Sequence, residues 1–179
     1  MLKATQCIAL VIDYQERLVS AMNEHEELTR YMEIFIKGLN ALDVPMVITQ
    51  QYTKGLGMSQ PFVFAAAKSE DYLDKIEFSA MANEQIAQKV KQSDKHNVIV
   101  CGIEAHICVL QTCLDLKEQG FIPYLVIDCI GARKKADWEM TLVRAQQEGI
   151  KVTSSESILF ELLGKASGDT FKTISQLVK

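Results

Sequence analysis

The chain lacks the cysteine spacing of a disulfide framework. Its five cysteines stand at 7, 101, 108, 113 and 129, an odd number without a CxxC pair, mostly inside apolar runs. That usage fits reduced thiols in a cytoplasmic protein better than a small secreted scaffold. No signal-peptide core follows Met1, and no apolar run approaches the ~20 residues that a membrane helix needs. A long basic run is also missing. With a net charge of −4 and a pI near 5.4, the expected partners do not include nucleic acid or an anionic membrane. His25, His96 and His106 show no metal-ligand spacing with one another or with acidic residues, so no metal and no cofactor are expected. Repeats, low-complexity tracts and linkers are absent as well, which leaves one domain over residues 1–179.

What is present is a series of compact apolar runs separated by amphipathic stretches. Cys7-Ile8-Ala9-Leu10-Val11-Ile12 is nearly continuous in apolar character, as a central strand covered on both faces would be. Residues 26–42 place Leu28, Tyr31, Met32, Phe35, Leu39 and Leu42 at helical spacing. Val44 to Thr49 forms a second strand, with Pro45 tolerated at its start. Gln50 to Gln60 has the composition of a loop, and Phe62-Val63-Phe64 is too short to classify. Leu73 to Phe78 alternates apolar and charged residues, which leaves a short edge strand and an extended loop both open.

Further strands are expected at Asn97–Cys101, Tyr124–Cys129 and Ile150–Thr153. Helices are expected near residues 83–92, 108–120, 137–148, 154–163 and 169–178, with Asp137, the stretch Ser154-Ser155-Glu156-Ser157 and Asp169 offering candidate caps. Alternation of strands and helices indicates an α/β fold with a mostly parallel sheet. Ligands of such sheets bind beyond the carboxyl ends of the strands, where Asp13 and the turn from Gly102 to Cys108 both fall.

Cys108 stands where a strand, a tight turn and a helix N-terminus meet. Unpaired N–H groups and the positive end of the helix dipole favour thiolate there, and thiolate is the nucleophilic form. The same N–H groups suit an oxyanion. Against that stands a plain alternative, since free cysteines are among the most buried residues. Asp13 is equally open to reading as a helix cap or as a site residue, and Lys75 alone reads as a solvated charge. Together the three have a chemical logic. A carboxylate near a thiol accepts its proton, and a lysine between them stabilises both anions. No histidine spacing supports a Cys–His dyad. Phosphotransfer of the response-regulator type is disfavoured, because Asp13-Tyr14-Gln15 has no second acidic neighbour for Mg²⁺.

Asp13-Tyr14-Gln15, Lys75 followed by Phe78-Ser79, and Gly102-Ile103-Glu104-Ala105-His106-Ile107-Cys108-Val109 together resemble the isochorismatase-like cysteine hydrolase superfamily. Three further stretches, Gln51 to Gly57, Cys101 to Ala105 and Thr112 to Leu116, are similar to the branch of isochorismatase domain-containing proteins 1 and 2. The resemblance runs through nearly the whole chain in order. It implies a three-layer α/β/α fold with a sheet of about six strands. It also implies an Asp-Lys-Cys triad, with Cys108 as nucleophile, Asp13 as general base and Lys75 as electrostatic partner. The implied oxyanion hole is made by the amides of Glu104 and Cys108, with a cis peptide between Ile103 and Glu104. Gln15, Tyr52 and His106, with Glu104, are first candidates for lining the substrate pocket.

Two departures bear on substrate. Nicotinamidases of this superfamily hold a metal on Asp and His residues in the loop after the second strand, and residues 50–60 contain neither. Isochorismatases that cleave a vinyl ether tend to lack the cysteine, which is present here. The expectation is a hydrolase of a small amide or related C–N bond acting through a thioester, with a small-molecule substrate and a homo-oligomeric state. A non-catalytic oligomeric scaffold on the same fold is the alternative.

Overall fold

Successive residues of the first strand, β1 (Cys7–Ile12), point alternately into two apolar layers. Cys7, Ala9 and Val11 enter one and Ile8, Leu10 and Ile12 the other. The computed structural model describes residues 1–179. After β1 come α1 (Glu16–Val19), α2 (His25–Ala41), β2 (Met46–Gln51), α3 (Thr53–Leu56), α4 (Pro61–Ala67) and β3 (Leu73–Lys75). The second half adds α5 (Glu84–Gln92), β4 (Asn97–Ile103), a π-helical turn (Ala105–Val109) that runs into α6 (Leu110–Glu118), and β5 (Ile122–Gly131). It ends with α7 (Lys135–Gln147), β6 (Lys151–Thr153), α8 (Ser155–Leu163) and α9 (Asp169–Leu177).

The six strands are all parallel, in the order β3-β2-β1-β4-β5-β6. Helices α2, α4, α8 and α9 cover one face through Leu28, Met32, Phe35, Val63, Leu159 and Ile174. Helices α5, α6 and α7 cover the other through Ile86, Val90, Cys113, Leu116 and Ala145. This is the three-layer α/β/α architecture. Each fully buried aliphatic side chain contributes about 1.5–3 kcal/mol, so two filled layers hold the sheet without covalent staples. The strand order reverses direction between β1 and β4, and in doubly wound sheets the crevice at that reversal is the binding position.

Several boundaries differ from the sequence reading, for local reasons. β2 continues through Gln50 and Gln51, because Thr49 and Gln50 are buried with their polar groups bonded. Pro61 opens α4, whose Val63, Ala66 and Ala67 are buried, and seven residues are too few for a clear periodic signal. The stretch at Leu73–Lys75 is the edge strand rather than an extended loop. Gly102 lies inside β4, one residue before its end. Ser154 caps α8 by accepting from the Ser157 amide at 3.4 Å. Asp137 and Asp169 sit in the first turns of α7 and α9 and are not their caps.

Gly102 sets how closely β1 and β4 approach. It pairs with Ile12 and adopts φ +122°, and a Cβ there would stand 2.0 Å from the Ile12 carbonyl oxygen. The residues that follow both strands, Asp13 and the turn from Glu104 to Cys108, leave the sheet side by side.

Candidate active site

Asp13, directly after β1, is fully buried and holds a left-handed backbone at φ +49°. A non-glycine residue in that region is strained and persists only where its surroundings dictate it. Here the Asp13 amide donates to the Thr49 carbonyl at 3.1 Å, and the Thr49 hydroxyl donates to Asp13 Oδ1 at 2.7 Å. The second carboxylate oxygen, Oδ2, receives the Lys75 ammonium at 2.6 Å.

Lys75 ends β3, and strand alternation turns it inward while Asp74 turns out to hold Thr53. Its ammonium reaches no solvent and is surrounded by acceptors. Besides Asp13 it donates to Gln51 Oε1 at 2.6 Å and towards the carbonyls of Glu77 at 3.1 Å and Phe78 at 3.2 Å. A buried ammonium requires this degree of satisfaction.

Cys108 belongs to the π-helical turn, in which the Val109 amide reaches back to the Glu104 carbonyl at 3.2 Å. The residue is 7% exposed, and its thiol lies close to the Asp13 carboxylate and to the backbone of Glu104. The Ile103–Glu104 peptide that presents this amide is cis. The geometry thus gathers Asp13, Lys75, Cys108 and the Glu104 amide at the carboxyl ends of β1, β3 and β4.

Burial pushes the Cys108 thiol up to about 12, and the negative charge of Asp13 adds to the rise against the opposing pull of Lys75. The helix-terminal location, from which the sequence suggested a favoured thiolate, is outweighed by these two effects. Burial likewise holds the Asp13 carboxyl above the ordinary carboxylate range, with Lys75, Thr49 and Cys108 pulling the other way. The site therefore holds a thiol beside a carboxylate whose charge is balanced by an ammonium. Such an arrangement can deliver the thiol proton to Asp13 as the sulfur attacks. All five cysteines are free, and burial raises Cys7, Cys101, Cys113 and Cys129 too. Cys108 stands apart by the sliver of surface it keeps, the other four being fully buried.

The other candidates divide. Gln15 is fully buried, and its amide is spent on the Gln51 carbonyl, the Gly57 carbonyl and the Gln51 amide, at 3.0, 2.7 and 2.7 Å. It braces the loop after β2 rather than offering a free group to a ligand. Tyr52 is half exposed at φ +40°, with its ring close over Gly55. His106 turns towards α7, with Nε2 3.9 Å from Asp137 Oδ2 and with Nδ1 buried and unpartnered. Residues two apart on a helical turn face opposite sides, so His106 diverges from Cys108. The Glu104 carboxylate receives Arg133 Nε at 2.8 Å. A cleft of about 250 Å³ at the end of β5, bordered by Leu28, Tyr31, Asp128 and Trp138, includes none of the gathered groups.

Thr49 and Gln51 were missed as site residues. Two polar side chains spaced by two at the end of a buried strand share one face, and that alternation is the signal that marks them.

The isochorismatase domain family model matches residues 7–157. The secreted isochorismatase effector Isc1 of Phytophthora sojae (strain P6497) is 31% identical over 176 residues, 96% of this chain and 84% of the effector. Isochorismatase domain-containing protein 1 of Salmo salar is 32% identical over 168 residues, 93% of this chain and 59% of that protein, so the chain spans under two thirds of that relative. Among solved structures, MAR1 ribonuclease from Caenorhabditis elegans superposes with a TM-score of 0.91 at 31% identity, covering 99% of this chain and 91% of that one. The YcaC gene product of Escherichia coli, described as an octameric hydrolase of unknown specificity, gives 0.93 at 21% identity, covering 98% and 88%, and shows the shared fold. No helix is long and apolar enough to cross a membrane.

Proposed function

The chain belongs to the isochorismatase family, and from that premise we propose that it is a cysteine hydrolase cleaving a small amide or related C–N bond with Asp13, Lys75 and Cys108. The observation that supports this reading best is the buried contact of the Cys108 thiol with an Asp13 carboxylate that is also bonded to Lys75.

In the first half-reaction Asp13 takes the thiol proton while Sγ bonds to the carbonyl carbon. The oxygen becomes an oxyanion facing the Glu104 and Cys108 amides, and each such donor is worth about 10²–10³ in rate. The carbonyl re-forms as the C–N bond breaks, and Asp13 passes the proton to the leaving nitrogen. Water then attacks the thioester and gives its proton to Asp13, the C–S bond breaks, and the proton returns to sulfur. Lys75 stays paired with Asp13 and holds its charge in place.

The structural relative named as a ribonuclease favours a second reading, in which the substrate is RNA. The net charge of −4 weighs against a polyanion, so a small uncharged amide is the preferred substrate class. A scaffold without chemistry would have no use for a thiol beside a carboxylate and an ammonium. The octameric neighbour supports a homo-oligomeric assembly for this chain. Five free thiols suit a reducing, cytoplasmic setting, although one relative is a secreted effector.

The test is turnover of a small-amide panel and of single-stranded RNA by the wild-type protein and by Cys108→Ala, with circular dichroism to confirm the fold. Amide hydrolysis that disappears in Cys108→Ala is the expected result. Hydrolysis retained without the thiol, or cleavage of RNA alone, overturns the reading.

A further inference from the structure

Thr112 lies in α6, four residues after Cys108, and is fully buried. Its hydroxyl donates to the Cys108 carbonyl at 2.6 Å and accepts from the Ala80 amide at 2.8 Å. The first bond is a local back-bond that threonine often makes inside helices. The second crosses to the other half of the site. Ala80 follows the segment whose Glu77 and Phe78 carbonyls face the Lys75 ammonium. One hydroxyl therefore joins the nucleophile's turn to the peptide that encloses the lysine. A hydroxyl is the small neutral side chain that gives one hydrogen bond and receives another at a single atom. Valine has the same shape and would fill the same space, yet would leave the buried Ala80 amide unpaired.

We propose that Thr112 is a positioning residue, holding the Cys108 turn in register with Lys75 and Asp13 through the Ala80 bridge. The inference rests on the hydrolase reading above. Without the bridge, the turn carrying Cys108 separates from the segment after Lys75. Water then reaches the sulfur, and the contact between thiol and carboxylate is lost.

The experiment follows iodoacetamide alkylation of Cys108 against pH, by peptide mass spectrometry, in the full-length wild type, Thr112→Val and Thr112→Ser. Burial suppresses the thiolate in the wild type, so the valine variant is expected to react at least tenfold faster at pH 8. The serine variant, which restores the hydroxyl, stays within twofold of wild type. A folded Thr112→Val whose Cys108 profile matches wild type overturns the proposal. Should the valine variant fail to fold, hydrogen exchange of the Ala80 amide in the wild type decides. Strong protection is expected, and exchange at the rate of an open loop overturns the bridge. Failure of the hydrolase reading looks different, since it appears as unchanged amide turnover in Cys108→Ala whatever residue occupies position 112.

Discussion

The Asp13 carboxylate and the Lys75 ammonium meet at 2.6 Å with neither side chain reaching solvent. A charge pair so enclosed is a weak source of net stability, because desolvation of both ions offsets their attraction. Its value is positional. The pair fixes a charged oxygen beside the Cys108 thiol, and that charge favours the protonated thiol.

Asp13→Asn separates reactivity from catalysis. Burial is the main reason that the Cys108 thiol stands near 12, and the Asp13 charge is the next. Removing that charge lowers the thiol's pKa and raises the thiolate fraction at neutral pH, by about tenfold for each unit of pKa. The variant is expected to be alkylated by iodoacetamide faster than wild type at pH 7–8. Amide turnover should fall by about 10²–10⁴, the usual worth of a positioned general base. Paired alkylation and activity assays check this. Slower alkylation would show that Asp13 activates the resting thiol by deprotonating it.

Lys75→Met should make stability depend more steeply on pH. The folded-state pKa of Asp13 lies above its unfolded value, so the native state binds more protons than the unfolded one between the two. Stability therefore declines as pH rises through that window. Loss of Lys75 removes the largest influence holding the pKa down, which moves the upper limit of the window towards neutrality. Urea unfolding is expected to show a modest loss at pH 4 and a loss of about 3–5 kcal/mol at pH 8. An equal loss at both values would show that Asp13 is not the titrating group.

Much of this was legible before any coordinates. The apolar run from Cys7 to Ile12 announced a doubly covered strand, and the change of periodicity after Gly102 placed Cys108 on a rim with Asp13. The state of the thiol was not legible. A local rule about helix N-termini pointed towards thiolate, whereas burial depends on what the rest of the chain stacks over the residue. Lys75 looked solvated in isolation because lysines usually are, and its acceptors come from Asp13, Gln51 and the following turn. Gln15 and His106 stood close to Asp13 and Cys108 in sequence, yet strand and helix geometry turned one into a brace and the other towards α7.

Gln15→Ala tests the bracing role. The side chain makes three hydrogen bonds that pin Gln51 and Gly57, and Gln51 in turn accepts from Lys75. Truncation leaves buried backbone groups unpaired, at a cost of about 2–4 kcal/mol in denaturant unfolding. Activity should fall mainly through kcat, because Lys75 loses orientation while no substrate contact is removed. A rise in KM at constant kcat would instead place Gln15 against the substrate.

Gly102→Ala probes whether the closeness of β1 and β4 assembles the site. A Cβ at this position meets the Ile12 carbonyl at 2.0 Å, an atom of the backbone that cannot swing aside. The φ of +122° adds strain for any L-residue. Gly120→Ala is the control, since φ is +84° there but nothing lies within 4 Å of the added carbon. The control should lose about 1–2 kcal/mol, the cost of the left-handed backbone alone. Gly102→Ala should lose more than about 4 kcal/mol, or stay folded only by parting the two strands. In the second case Asp13 and Cys108, each carried by the chain just beyond the parted pair, move out of contact. Cys108 alkylation then approaches that of an ordinary exposed thiol while circular dichroism still reports an α/β protein. If Gly102→Ala matched Gly120→Ala in both stability and alkylation, the close approach would have no part in forming the site.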